Sequence, residues 1–498
     1  MMKLKNYKSL WILAFAVVLI TSCDSNEYDL PVEETIPLTP GSANLTNFVS
    51  IGNSLTAGYT DGALFIAGQT NSLPNLLSQK FALLGGGEFS QPLMNDNIGG
   101  LLLGGNQIQE PRLFFNGSGL ERLDAMPTTE VSNIAPGPYH NMGVPGAKSF
   151  HLLANGYGNV AGVPLGLANP YYARMASSPN ASMIEDAVGI NSSFFSLWIG
   201  NNDVLSYATA GGDGVNQTGN FDPSTYGPTD ISDPNVFAGV YSTLLDALTS
   251  NGSQGVVMNI PYVTTIPYFT TVPFNPVPLD AATAGALNAA FAQYNGGLLQ
   301  VEAAGIITVE ERAARTINFV AGQNAVTIVD EYLTDLSALG IPSYRHATAD
   351  DLMILPSSTF IGTTVGGNPQ LINGVSVPLE DRWVLTSNEV NEVEVAVNSY
   401  NASIEALASQ KGLAFVDANL IMQQIANGGI AFDEFTMKSD LVFGLTFSLD
   451  GVHPTARGYA FMANQVLMAI DATYGSNFEA AGELHKAADY TTFYPEGL

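Results

Sequence analysis

The residues best suited to chemistry begin with Ser54, in Gly52-Asn53-Ser54-Leu55, which directly follows the apolar run Phe48-Val49-Ser50-Ile51. A serine in a tight turn after a buried strand projects from the sheet edge into the crevice where α/β folds bind ligands. Its hydroxyl is a poor nucleophile until a base takes its proton, and the base is in turn oriented by a carboxylate. Five histidines are available: His140, His151, His346, His453 and His485. His453 stands apart because Asp450-Gly451-Val452-His453-Pro454 places a carboxylate three residues before the imidazole. The turn enters a helical pattern of Tyr459, Met462, Val466 and Ile470, so Asp450 can reach the ring of His453 locally. Acyl transfer also needs donors aimed at the developing oxyanion. Two more strand ends offer them, at Asn141-Met142-Gly143-Val144-Pro145-Gly146 and at Trp198-Ile199-Gly200-Asn201-Asn202-Asp203.

These four elements, in this order, resemble the SGNH hydrolase superfamily, the GDSL esterases and lipases. Ser54 matches the block I serine, Gly146 the block II glycine, Asn202 the block III asparagine, and Asp450 with His453 the block V Asp-x-x-His. The resemblance implies a Ser-His-Asp hydrolase of carboxylic esters, lipid or acylated glycan, whose oxyanion hole is made by the amides of Ser54 and Gly146 and the side chain of Asn202. The sequence departs from the family at Asn53, where the family name has aspartate. Gly143 in place of Gly146, and Asn201 in place of Asn202, stay open at this stage. A reading from another class is a noncatalytic surface lipoprotein that binds glycan or a partner protein on the same scaffold.

Elements that could position these residues are legible around them. Apolar runs at Phe194 to Ile199, Val256 to Ile260 and Leu413 to Val416 repeat the pattern of Phe48 to Ile51, and a further strand is expected near Tyr139. Asp233-Pro234 caps a helix carrying Phe237, Val240, Leu244 and Leu248. Thr386 and Glu389 form a capping box before Val390, Val393, Val397, Tyr400, Ile404 and Leu407, with Lys411-Gly412 closing that helix. Strands alternating with helices predict an α/β doubly wound parallel sheet, flavodoxin-like by the resemblance. The hydrolase domain is expected over 45–498, with insertions at about 60–135 and 261–386. Pro261, Tyr262, Ile266, Pro267, Tyr268, Phe269, Pro273 and Phe274 are too apolar for a free loop. They cover either the protein's own core or the acyl side of a site, in which case medium-chain esters are preferred over acetate.

The N-terminal end has a different character. Lys3, Lys5 and Lys8 precede eleven apolar residues from Leu10 to Ile20, followed by Thr21-Ser22-Cys23. This resembles a bacterial lipoprotein signal peptide over 1–22, which implies lipidation of Cys23, the only cysteine of the 498 residues. An acidic tether over 23–44 would then lead from the membrane to the folded body, placing the protein in the bacterial cell envelope. Lys and Arg number 16 against 45 Asp and Glu, a formal net charge of −29 that repels nucleic-acid backbones. No His-Glu-x-x-His or cysteine pair supports a zinc site, and no cofactor is expected. Asp203, Asp213, Asn216, Asn220 and Asp222 lack EF-hand spacing and read as a solvated loop before a Ca²⁺ site. Trp198 and Trp383 read as core or wall residues.

Overall fold

Five short strands whose residues are almost all withdrawn from water make the centre of the protein, in a computed structural model that describes residues 36–498. They are β1 (Phe48–Gly52), β2 (Asn141–Gly143), β3 (Phe194–Trp198), β4 (Gln254–Met258) and β5 (Ala414–Val416). All neighbours pair in parallel, in the order β2-β1-β3-β4-β5. This is the flavodoxin-like doubly wound order, and the fold class is as the sequence predicts. Strands buried on both faces carry no polar alternation, so Phe48, Val49 and Ile51 in β1 and Phe194, Phe195 and Leu197 in β3 read as continuous apolar runs. Register aligns Gly52 with Gly143 on one side and with Trp198 on the other, which brings three carboxyl ends to one edge.

Helices α1 (Ser54–Ala57) and α2 (Leu73–Ala82) follow β1, α3 (Met183–Gly189) precedes β3, and α4 (Asn202–Thr209) and α5 (Pro234–Thr249) lead from β3 to β4. Helix α6 (Ala281–Ala303) lies in the long segment after β4, α7 (Ser387–Lys411) precedes β5, and α8 (Ala418–Ala426) and α9 (Ala456–Tyr474) follow it. Helices α2 and α9 pack together on one face of the sheet; α3, α5 and α7 cover the other. In α5, Phe237, Tyr241, Leu244, Leu245 and Leu248 are buried at helical spacing, each contributing roughly 1.5–3 kcal/mol of transfer free energy. Asp233 accepts from the N–H groups of Asn235 and Val236 at 2.8 and 2.9 Å, a cap worth about 1 kcal/mol.

The segment between β1 and β2 is not all insertion. Helix α2 packs on β1 and α9 through Leu73, Leu76, Leu77 and Phe81, so only the part after it stands outside the frame. That part carries the hairpins Leu101–Leu103 with Asn106–Gln109 and Leu113–Phe115 with Leu120–Arg122. After β4, residues between Val272 and Val384 gather a second apolar core around Leu287, Phe291, Ile328 and Met353, distinct from the core around the sheet.

The signal segment 1–22, Cys23 and the predicted tether up to residue 35 lie outside the described residues. The end of that tether belongs to the folded body. Thr39 donates its N–H to Asn477 Oδ1 at 2.7 Å, Ser42 to the Tyr474 carbonyl at 2.7 Å and Asn44 to Gln254 Oε1 at 2.8 Å. Among the described residues no helix is long and apolar enough to cross a membrane.

Candidate active site

Gly52 ends β1 with no room for a side chain, because a Cβ there would lie 2.3 Å from Thr56 Oγ1 and 2.4 Å from the Trp198 carbonyl oxygen. The chain turns at once into α1. Asn53 caps that helix, its Oδ1 accepting from Leu55 N–H at 3.0 Å, while its Nδ2 donates to Asn201 Oδ1 at 3.1 Å. An aspartate could make the first bond but not donate the second. Asn53 therefore ties the turn that carries Ser54 to the start of α4.

Ser54 Oγ lies 2.8 Å from His453 Nε2, and His453 Nδ1 lies 2.8 Å from Asp450 Oδ2. The imidazole comes from a tight reversal between Thr446 and Thr455, closed by Ser448 N–H on the His453 carbonyl at 2.7 Å and Thr455 N–H on that of Thr446 at 2.9 Å. Inside it, Asp450 Oδ1 accepts from the N–H groups of Val452 and His453, both at 2.9 Å, and from Ser448 Oγ at 3.0 Å. Gly62 N–H adds a bond to Oδ2 at 2.9 Å. Burial pushes this carboxyl up, but the charge of His453 and these hydrogen bonds outweigh it and hold it down at about 2. An ionised Asp450 keeps a proton on His453 Nδ1, leaving Nε2 to accept from the serine.

Support continues behind the carboxylate. Asp61 donates its N–H to Ser448 Oγ at 3.0 Å and accepts from Leu449 N–H at 3.0 Å. Burial, with Asp450 nearby, pushes the Asp61 carboxyl up to about 7. The Tyr59 ring packs at 4.6 Å on the imidazole, and Tyr268 N–H reaches the Gly451 carbonyl at 2.9 Å.

Between the serine and the open cleft stand three unspent donors. The N–H groups of Ser54 and Gly146 meet no acceptor among the described residues. Gly146 sits at φ +80, a left-handed conformation that glycine adopts without penalty. Asn202 spends one N–H on the Ala147 carbonyl at 2.9 Å and carries a second on the same nitrogen. Ser54, Gly146 and Asn202 line one cleft with His453. Of the alternatives left open by the sequence, Gly143 donates to Asn141 Oδ1 at 3.0 Å, and Asn201, whose Oδ1 accepts from Asn53, does not line the cleft shared by Ser54, Gly146 and Asn202.

Asp203, which the sequence groups with a polar loop, does different work. It is fully buried and accepts from Ser149 N–H at 2.8 Å and Ser149 Oγ at 2.7 Å. Asn202 and Asp203 thus grip the 146–149 segment from consecutive positions. Lys148 Nζ, also buried, donates to the Asp230 carbonyl at 2.6 Å and pins the other side. No local pattern announces this clamp; the polar residues flanking Gly146 and Asn202 were the only signal. Among the described residues no group of three or more His, Cys, Asp or Glu is arranged to hold a metal ion.

Two cavities meet at Ser54, His453 and Asn202. One is the more enclosed and is apolar, with Leu55, Val204, Ile260, Val263, Met422 and Phe461 among its walls and no Asp, Glu, Lys or Arg side chain. The other is open and includes Tyr59, Gln109, Ser206 and Thr209. The apolar 261–274 segment divides between the two roles considered for it. Pro261, Tyr262, Val263 and Ile266 line the apolar pocket, whereas Phe269 packs in the main core and Phe274 against the second. Trp198 is a buried wall residue whose Nε1 donates to the Asn259 carbonyl at 3.1 Å; Trp383 stacks on Phe360.

No protein-family model and no curated protein sequence matches this chain. Solved structures similar to it include a variant of Axe2, an acetyl-xylooligosaccharide esterase from Geobacillus stearothermophilus, at 9% identity and TM-score 0.32, covering 86% of this chain and 96% of that one. LAE5, an α/β hydrolase enzyme from the metagenome of Lake Arreo, gives 11% identity and TM-score 0.32, covering 89% and 98%. An extracellular lipase from Streptomyces rimosus gives 12% identity and TM-score 0.29, covering 86% and 99%. The functional reading rests on the geometry of Ser54, His453 and Asp450 and not on these neighbours.

Proposed function

We propose that the protein is a serine hydrolase of carboxylic esters. The observation that carries this reading is the unbroken chain of 2.8 Å hydrogen bonds from Ser54 Oγ through His453 to Asp450, opening on three unspent donors at the carboxyl edge of the sheet. Ser54 Oγ attacks the ester carbonyl carbon as His453 Nε2 takes its proton. The carbonyl oxygen, now anionic, is held by the N–H groups of Ser54 and Gly146 and by Asn202 Nδ2. Collapse expels the alcohol, which receives the proton from His453 and leaves an acyl-serine. Water then attacks that carbonyl, again giving its proton to His453, and the carboxylic acid departs with Ser54 restored.

Cys23 and the segment before it add a cellular setting to this reading: a lipid anchor on the bacterial envelope, probed by intact mass of the membrane-extracted protein. For the enzyme, a panel of ester substrates is assayed with the wild type and with Ser54→Ala. Turnover that is lost in the variant supports the hydrolase. A folded wild type that turns over no ester, while binding a glycan or protein ligand, would sink it in favour of a noncatalytic binding module.

A further inference from the structure

The two cavities beside Ser54 differ in a way that assigns them different halves of an ester, an inference that rests on the hydrolase reading above. In the two-step reaction the alcohol leaves first, while the acyl group stays covalently on Ser54 until water arrives. The departing alcohol and the incoming water both need a route to solvent, and the more open of the two cavities offers it. The cleft bounded by Tyr59, Gln109, Ser206 and Thr209 is that cavity. It carries Gln109 and Ser206 beside Pro145, Tyr171, Leu205 and Val452, while Tyr59 Oη and Thr209 Oγ1 donate to the Gly62 and Leu205 carbonyls at 2.6 and 2.8 Å.

The other cavity is more enclosed and more apolar. It spans about 830 Å³ of atom-free space, open solvent at its mouth included, and its walls come from the elements that follow the carboxyl ends of several strands. Ile260 and Val263 follow β4, Met422 and Ile425 lie on α8 after β5, and Phe461 and Met462 on α9. A bare acetyl group would leave such a pocket largely empty or hydrated against apolar walls, whereas a longer chain exchanges that contact for packing. We propose that this pocket takes the acyl chain, and that the substrates are esters of medium-chain acids.

The prediction is read in two ways on the wild-type protein. Along an aryl-ester series from acetate through butyrate to octanoate, kcat/KM should rise at least about tenfold, below the roughly fourfold per CH₂ that full burial would allow. Between the isomers ethyl octanoate and octyl acetate, equal in composition, ethyl octanoate should be the better substrate. Met422→Trp, which fills the pocket from α8, should lower the octanoate-to-acetate ratio of kcat/KM by at least about tenfold. A flat or acetate-favouring series overturns the inference while leaving the hydrolase intact, and faster cleavage of octyl acetate reverses the assignment of the two cavities. No turnover of any ester, with no fluorophosphonate label on Ser54, overturns the hydrolase reading itself and this inference with it.

Discussion

Asp450, in the turn before α9, and Glu389, at the start of α7, are both carboxyls withdrawn from water, and they stand in opposite states. Asp450 has an imidazole on one oxygen and three N–H groups shared over the two, and is held at about 2. Glu389 accepts from Thr386 N–H at 2.6 Å through Oε2, while its Oε1 is buried with no partner among the described residues. Burial, with Asp381 and Glu331 nearby, pushes it up to about 8. Asp381 itself is pushed up to about 7 by burial and by Glu331, Asp213 and Asp330. Burial alone therefore marks neither region as functional. What distinguishes Asp450 is a hydrogen-bond partner on both oxygens and an outlet, through His453 and Ser54, to an open cleft.

The largest effect should come from removing that outlet. His453→Ala is expected to lower kcat by about 10⁴-fold or more, because nucleophile and base act as one unit. Asp450→Ala should lower it less. The His453 variant also strips Asp450 of its imidazole and shifts it toward the situation of Glu389. In the wild type, the depressed Asp450 contributes stability that is present above the ordinary carboxylate range and is lost as pH falls toward about 2. Thermal melts between pH 2 and 5 should show part of that slope missing in the variant. Full activity in His453→Ala, with loss on mutating His140, His151 or His346, would move the base elsewhere.

Next in size is the hole. On the proposed assignment of Asn202 to the oxyanion, Asn202→Ala should reduce kcat about 10²- to 10³-fold with little change in KM. Asn201→Ala, which removes only the tie to Asn53, should have a milder effect. The reverse ranking in steady-state kinetics would reassign the donor.

How much of this was legible in the chain follows from where each interaction is made. Asp450 and His453 are three residues apart in one turn, and Ser54 follows an apolar strand, so local pattern suffices. The helix from Ser387 to Lys411 and its capping box are local in the same sense. The preference for Gly146 over Gly143 was not legible, because it depends on the Asn141 side chain taking the Gly143 N–H. The grip of Asp203 on Ser149 joins two strand ends through pairing that leaves no period in the sequence. The apolar pocket was half legible: its wall at 261–266 is an apolar run, but Met422 and Phe461 come from helices whose buried faces look like ordinary core. The tether was read too far, since Thr39, Ser42 and Asn44 bond to distant residues that composition does not reveal.

The smallest effect sharpens the other side of the comparison. A carboxyl raised in the fold binds its proton more tightly than in the unfolded chain, so Glu389 favours folding less as pH rises from about 4.5 to about 8. Glu389→Gln removes that penalty and keeps an acceptor for Thr386. Above pH 8 it should raise Tm and add at most about 5 kcal/mol of stability, with little effect on ester turnover. Equal melting curves for variant and wild type at pH 6 and pH 9 would show that Glu389 is not held protonated.

The central claim, that Ser54 is a nucleophile activated through His453, is tested most directly by fluorophosphonate labelling followed by peptide mass analysis. The account predicts one adduct, on the peptide containing Ser54, absent in Ser54→Ala and formed far more slowly in His453→Ala. An unlabelled folded wild type, or an adduct on another serine that persists in Ser54→Ala, would contradict it.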